Sequence, residues 1–121
     1  MTVFFLERIK ALVPMMIVHY LVGFLAGGFF CNSIPHLASG LRGEPFPSPF
    51  AKPPGVGDSS PCVNFLWGTL NLIIGSALLR WFPMVAGFNL DSGLFLTGFV
   101  LIGIQCSRHF GQVKMNQRRR E

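Results

Sequence analysis

From Ala11 to Cys31 the sequence runs without a single Lys, Arg, Asp or Glu. About 20 such residues are what an α-helix needs to cross a hydrocarbon layer about 30 Å thick. Two more apolar runs follow, at 62–81 and 91–109. A soluble domain takes roughly 25% of its residues from the charged types, whereas this chain has 12% charged and 50% hydrophobic residues, including 13 Phe. Its mean hydropathy of +0.50 fits an outer surface that meets lipid. The expected fold is therefore an all-α membrane protein in one domain, 1–121. It has three transmembrane helices at about 11–31, 62–81 and 91–109, a Pro-rich loop over 32–60 that includes a short interfacial helix, and a basic C-terminal tail over 110–121.

Local signals set the ends of these runs. Arg8 and Lys10 precede the first run, as they would in a signal peptide, but it exceeds the roughly 7–15 residues of such segments. No small-x-small site follows, and Gly28-Phe29-Phe30-Cys31 does not match a lipoprotein cleavage box. The second run opens with Ser60-Pro61, a hydroxyl cap followed by proline at the first helical position. It closes with Arg80, Trp81 and Pro83, an interfacial cation, an aromatic anchor and a helix breaker. The third run reads either from Met84 or from Asp91-Ser92. The later start keeps Asn89 and Asp91 out of the hydrocarbon and places a carboxylate at a helix N-terminus, where the helix dipole stabilises it.

Six of the nine prolines fall between the first two runs, in a connection far longer than the usual ~4–6 residues. Ser33 through Gly40, with a hydroxyl cap, Pro35 and a closing glycine, reads as a short helix at the interface. Pro45 through Gly55 reads as extended chain, because proline fixes φ and lacks a donor. Phe46 and Phe50 make this loop a candidate clamp for a partner, with His36 and Arg42 as further loop candidates.

The net charge of +5 does not indicate nucleic acid, because Arg108, Lys114, Arg118, Arg119 and Arg120 cluster beyond the last apolar run, where headgroups and topology explain them. Three spans put loop and tail on one face. That face carries seven cations (Arg42, Lys52 and those five) against Arg8, Lys10 and Arg80 on the other. The positive-inside rule then places loop and tail in the cytoplasm, although Arg8 and Lys10 pull the first helix the opposite way. Cys31, Cys62 and Cys106 read as free thiols; a Cys31–Cys62 pair is the exception to watch on an oxidising side.

Hydrophobicity does not hold helices together in lipid, so small residues and shared hydrogen bonds must. His19, Gly23, Gly27 and Cys31 recur every four residues in the first run, and Asn64, Gly68, Asn71 and Gly75 step by four, three and four in the second. Gly93, Thr97 and Gly98 begin a weaker stripe. These stripes read as contact faces, either within a three-helix bundle or toward another subunit. His19 is an ionisable group inside a span, a proton-relay or haem-ligand candidate beside the simpler reading of a neutral imidazole bonded to Asn64 or Asn71.

No catalytic set is expected. Cys31 with His36 matches no zinc spacing. Gly57-Asp58-Ser59-Ser60 resembles an esterase block but lacks an identifiable base and oxyanion hole, so its serines read as helix caps. Headgroups, Glu44 or Asp58 are the expected partners of His36. Neither a metal nor another cofactor is expected; the partners are lipids and other membrane subunits or further copies of the chain.

The segments Asn32-Ser33-Ile34-Pro35-His36, Pro45-Phe46-Pro47-Ser48-Pro49-Phe50-Ala51-Lys52-Pro53-Pro54-Gly55, Ser59-Ser60-Pro61 and Asn64-Phe65-Leu66-Trp67-Gly68 resemble a family of small bacterial integral-membrane proteins with no assigned activity. The resemblance covers about the central third of the chain. It implies a bacterial inner membrane and brings no functional residues. The expected role is a non-catalytic accessory subunit of a larger membrane complex. The alternatives are an oligomeric transporter or pore using His19 and Asn71, and an interfacial enzyme using His36.

Overall fold

In the computed structural model, which describes residues 1–121, helix α1 spans Thr2–Leu41, strand β1 Phe46–Pro47, strand β2 Asp58–Ser59, helix α2 Pro61–Trp81 and helix α3 Leu90–Arg118. All three helices are long and apolar enough to cross a membrane.

Helix α1 does not stop after the first apolar run. Its 40 residues pass through Pro14 and Pro35, so the short interfacial helix expected at Ser33–Gly40 is the last part of α1, and the connection begins at Arg42. Pro35 removes one donor without removing the helix. The nearby Ser33 hydroxyl folds back to donate to the Phe30 carbonyl at 2.6 Å. The stop signal is Gly43, at φ +70°. The N–H groups of Gly43 and Glu44 reach back to the Gly40 and Ser39 carbonyls at 3.1 and 2.9 Å, the two bonds of a Schellman motif.

The Ser60 side chain accepts from the Val63 N–H at 3.3 Å to open α2. Asn89, not Asp91, caps α3, accepting from the Ser92 N–H at 3.0 Å. Asp91 lies in the first turn and holds the preceding loop by accepting from the Val85 N–H at 2.8 Å. Much of the expected C-terminal tail is helical, since α3 continues to Arg118.

α1 is the centre of the molecule. α2 packs along it antiparallel: Gly40 faces Pro61 and Phe65, Gly68 faces Ser33 and Leu37, and Gly75 faces Phe29 and Phe30. α3 packs parallel, with Gly98 against Phe24 and Gly103 against Cys31. A Cβ at Gly27 would overlap the Phe95 carbonyl, and one at Gly98 would overlap the Phe24 carbonyl. The two glycines thus let the α1 and α3 backbones touch. α2 and α3 hardly approach each other, so an open groove remains between them along α1.

The connection over 42–60 is compact rather than extended. β1 and β2 pair antiparallel, Phe46 with Ser59 and Pro47 with Asp58. The Ser48 carbonyl takes N–H bonds from Ala51 and Gly55 at 3.2 and 2.8 Å, and the hydroxyls of Ser48 and Ser59 bond to each other. Turns supply the donors that proline withholds. Phe46, Pro47, Ser48 and Ala51 are buried, so the loop plugs the end of the bundle. The interior is correspondingly unlike a soluble core: Ser33, His36, Ser39, Ser48, Asn64 and Asn71 are buried, while many Leu, Ile, Val and Phe side chains face outward.

Candidate functional site: a polar seam along the central helix

Polar side chains inside the bundle lie at three levels of α1. At the loop end, Asn64 of α2 is fully buried. Its Nδ2 donates to the carbonyls of Phe46, Ser59 and Ser60 at 2.8, 3.2 and 3.2 Å. With the amide so oriented, Asn64 Oδ1 faces His36 Nδ1 at 2.8 Å. An amide oxygen only accepts, so the proton of a neutral His36 sits on Nδ1 and the lone pair on Nε2. Phe46, Phe110 and Trp67 surround the ring edge-on, with centroids 5.4, 6.0 and 6.4 Å away. Trp67 Nε1 is buried without a partner. His36 therefore joins α1, α2 and the loop. Its expected partners are engaged elsewhere: Glu44 pairs with Arg42 at 2.9 Å, and Asp58 receives Gln117 Nε2 at 3.4 Å.

About one helical turn along, Asn32 Nδ2 donates to Asn71 Oδ1 at 3.0 Å. Asn71 Nδ2 donates to the Trp67 carbonyl at 2.8 Å, and the Cys106 thiol approaches Asn32 Oδ1 at 3.6 Å. Asn32 thus links all three helices, although it falls at the first position of the loop expected from sequence. Its signal was the four-residue step to His36, which places both on one face once α1 is known to continue.

At the far end, His19 Nε2 meets Asp91 Oδ1 at 2.9 Å. Neither Asn64 nor Asn71 reaches His19; thirteen residues of α1, about 20 Å at 1.5 Å per residue, separate it from Asn32. The structure therefore does not bring His19 and Asn71 together.

Of the glycines in the stripes, Gly27, Gly68 and Gly75 sit against neighbouring helices, while Gly23 and Gly93 have no neighbouring atom within 4 Å of an added Cβ. Thr97 bonds its own helix at the Gly93 carbonyl, at 2.7 Å. Phe46 is buried under the Lys114 ammonium, 5.6 Å from its ring centroid. Phe50 is exposed, its ring set edge-on to Trp67 at 5.3 Å. His109 Nε2 donates to the Gly55 carbonyl at 2.6 Å, tying α3 to the loop. Arg42 and Glu44 lie at the surface, where the guanidinium holds the Glu44 carboxyl below the usual carboxylate range and Glu44 raises Arg42 in turn. Cys31, Cys62 and Cys106 are free thiols, and no three His, Cys, Asp or Glu residues converge as metal ligands.

The groove between α2 and α3 encloses about 360 Å³. Phe24, Leu25, Gly28 and Phe29 of α1 line one side and Ile102 of α3 another. Asn32, Asn71, Gln105 and Cys106 make its polar end. The seam is a set of hydrogen-bonded joints with one open face, and it aligns no nucleophile with a base. No family model matches the sequence, and neither a curated protein nor a solved structure is significantly similar to it.

Proposed function

We propose that this chain is a non-catalytic accessory subunit of a membrane complex, lodged in a bacterial inner membrane and docked through the N-terminal arm of α1. The observation that carries the reading is a mismatch of length. Between Lys10 and Arg42, α1 has 31 residues without a full charge, about 47 Å of helix at 1.5 Å per residue. A hydrocarbon layer is about 30 Å thick, and transmembrane helices tilt by roughly 0–40°. Fitting this one would need about 50° of tilt, on the same two lengths.

Arg80 and Trp81 favour where the boundary falls. Trp81 shares a surface hollow with Pro14, Met15, Val18 and His19 of α1, which puts the end of α2 level with that turn. An interface there leaves about 34 Å of α1 to Arg42, close to the hydrocarbon thickness. Pro14 to His19 then lie at the boundary, and the helix N-terminal to Pro14 projects beyond the layer.

That projection is apolar and bare. Every residue from Met1 to Val18 is exposed, including Phe4, Phe5, Leu12 and Met16. The helix is unbroken through Pro14, so the arm stays in line with the span rather than lying on the membrane surface. Exposed apolar surface marks a protein or membrane contact, and for a segment held beyond the hydrocarbon layer the protein contact is the one we propose. Glu7, Arg8 and Lys10 crowd one side, leaving Phe5, Ile9, Leu12 and Met16 at helical spacing for another polypeptide.

The test is photo-cross-linking in native membranes with a photoreactive residue at Leu12 or Met16, followed by native-mass purification in mild detergent. The expected product is a discrete adduct with a different polypeptide in stoichiometric complex. Adducts with lipid alone, or a homo-oligomer as the only assembly, would refute the subunit reading.

A further inference from the structure

We propose that the groove between α2 and α3 binds a membrane-dissolved amphiphile with a hydrogen-bond-accepting carbonyl head and an apolar tail. This does not depend on the arm or its partner; it requires only that the helices span lipid. The groove volume of about 360 Å³ falls within the roughly 300–1,000 Å³ of small-molecule sites, and its lining changes character along its length. Phe24 and Leu25 make one end apolar, and Asn32, Asn71 and Gln105 make the other polar. Eight residues of α1 separate Phe24 from Asn32, about 12 Å at 1.5 Å per residue. The slot is thus graded as an amphiphile is graded.

The hydrogen-bond inventory selects the head. An asparagine amide offers two N–H donors and one oxygen. One proton of Asn32 goes to Asn71 Oδ1, and one of Asn71 goes to the Trp67 carbonyl. The Asn32 oxygen faces the Cys106 thiol, and the Asn71 oxygen is taken by Asn32. Both oxygens are engaged while each amide keeps one N–H unspent. Asn71 is only 1% exposed, whereas Asn32 is half-buried beside the groove, so the spare Asn32 donor is the one a molecule in the groove can meet. An unmet polar group in hydrocarbon is costly. Gln105 adds an amide to the same end of the groove and is exposed on α3. Unspent N–H donors at this end outnumber the one unspent oxygen, that of Gln105, so the groove favours an acceptor, and a carbonyl is the acceptor that apolar membrane molecules carry, as the ester of a glyceride or the ring oxygen of a prenylated quinone.

The experiment reconstitutes the full chain in vesicles with three photoactivatable probes of matched tail length, namely a glyceride ester, a prenylated quinone and an alkane without a head. Adducts are mapped by mass spectrometry. Carbonyl-headed probes are expected to label residues lining the groove at least tenfold more than the alkane. The ester or the quinone dominating identifies the source. Gln105→Leu, at a surface position with no side-chain bond in the fold, is expected to lower labelling severalfold with thermal stability unchanged. Leu25→Trp is expected to block the tail end. Equal labelling by the alkane, or labelling indifferent to both substitutions, would overturn the proposal.

Discussion

At the residue scale, the burden falls on amides rather than on charges. Asn64 makes one contact with His36 and three with backbone carbonyls, and it is fully buried. Asn64→Leu keeps the branching of the side chain in a larger volume and leaves the His36 N–H without a partner, while the Phe46 carbonyl keeps its strand pairing with Ser59. An orphaned buried group costs about 1–3 kcal/mol, although side-chain bonds in membrane proteins average nearer 0.6 kcal/mol. The expected loss is about 1–3 kcal/mol, read from denaturant unfolding in detergent micelles. Trp67 is the opposite case, since its indole N–H is already unpartnered. Trp67→Phe removes an unmet donor along with some ring volume, and unfolding free energy is expected within about 1 kcal/mol of the parent. At the surface, the depressed Glu44 carboxyl adds to stability above its unfolded pKa, an effect that fades as acid titrates it through its folded value. Both partners are exposed, so solvent and salt screen the pair. Glu44→Gln should therefore leave the neutral-pH unfolding midpoint unchanged in physiological salt.

At the element scale, α1 holds the other two helices, and glycines set how closely. Gly27→Ala or Gly98→Ala would drive a methyl group into backbone carbonyl, which no rotamer change relieves. Overpacking of this kind costs about 1–3 kcal/mol. Gly23→Ala and Gly93→Ala meet nothing within 4 Å and should gain the roughly 0.5–1 kcal/mol that alanine has over glycine in a helix. Thermal unfolding of the four variants separates the pairs, and a shared sign would refute this account of the α1–α3 contact. Three apolar helices were legible in hydropathy because lipid imposes length directly. Their joints were less so. Gly40 looked like a terminator, but Gly43 performs that task through its positive φ, and sequence alone does not show which of two glycines adopts it. Asn32 was hidden for a different reason: the first apolar run ends at Cys31 while the helix continues to Leu41, and a residue assigned to a loop is not placed on a helix face. His19 was assigned a partner by residue type, whereas its partner Asp91 is fixed by the parallel docking of α3, a tertiary fact with no local signature.

At the scale of the whole molecule, the two ends differ in kind. One end is closed: the hairpin of residues 42–60 lies over the helices, and α3 reaches across to it through His109 to Gly55, Lys114 to Phe46 and Gln117 to Asp58. The other end carries only a short turn over 82–89 and the bare arm of α1. Loop and C-terminal turns touch, so any membrane placement that keeps the fold puts them on one side. Lys52, Arg108 and Arg118 through Arg120 add cations there, and the bias of Lys and Arg toward the cytoplasm supports the proposal that this side is cytoplasmic. Arg8 and Lys10 work against the bias, two cations against the larger number at the closed end. Single reporter cysteines at Lys52 and Arg119, on a background with Cys62 replaced, should both resist a membrane-impermeant thiol reagent in intact cells and react once the membrane is opened. A cysteine at Phe4 should show the reverse, reacting in intact cells. Labelling of Lys52→Cys and Arg119→Cys from outside would invert the orientation but leave the bundle intact. Labelling of only one of them would break the contact between loop and α3, and with it the closed end of the fold.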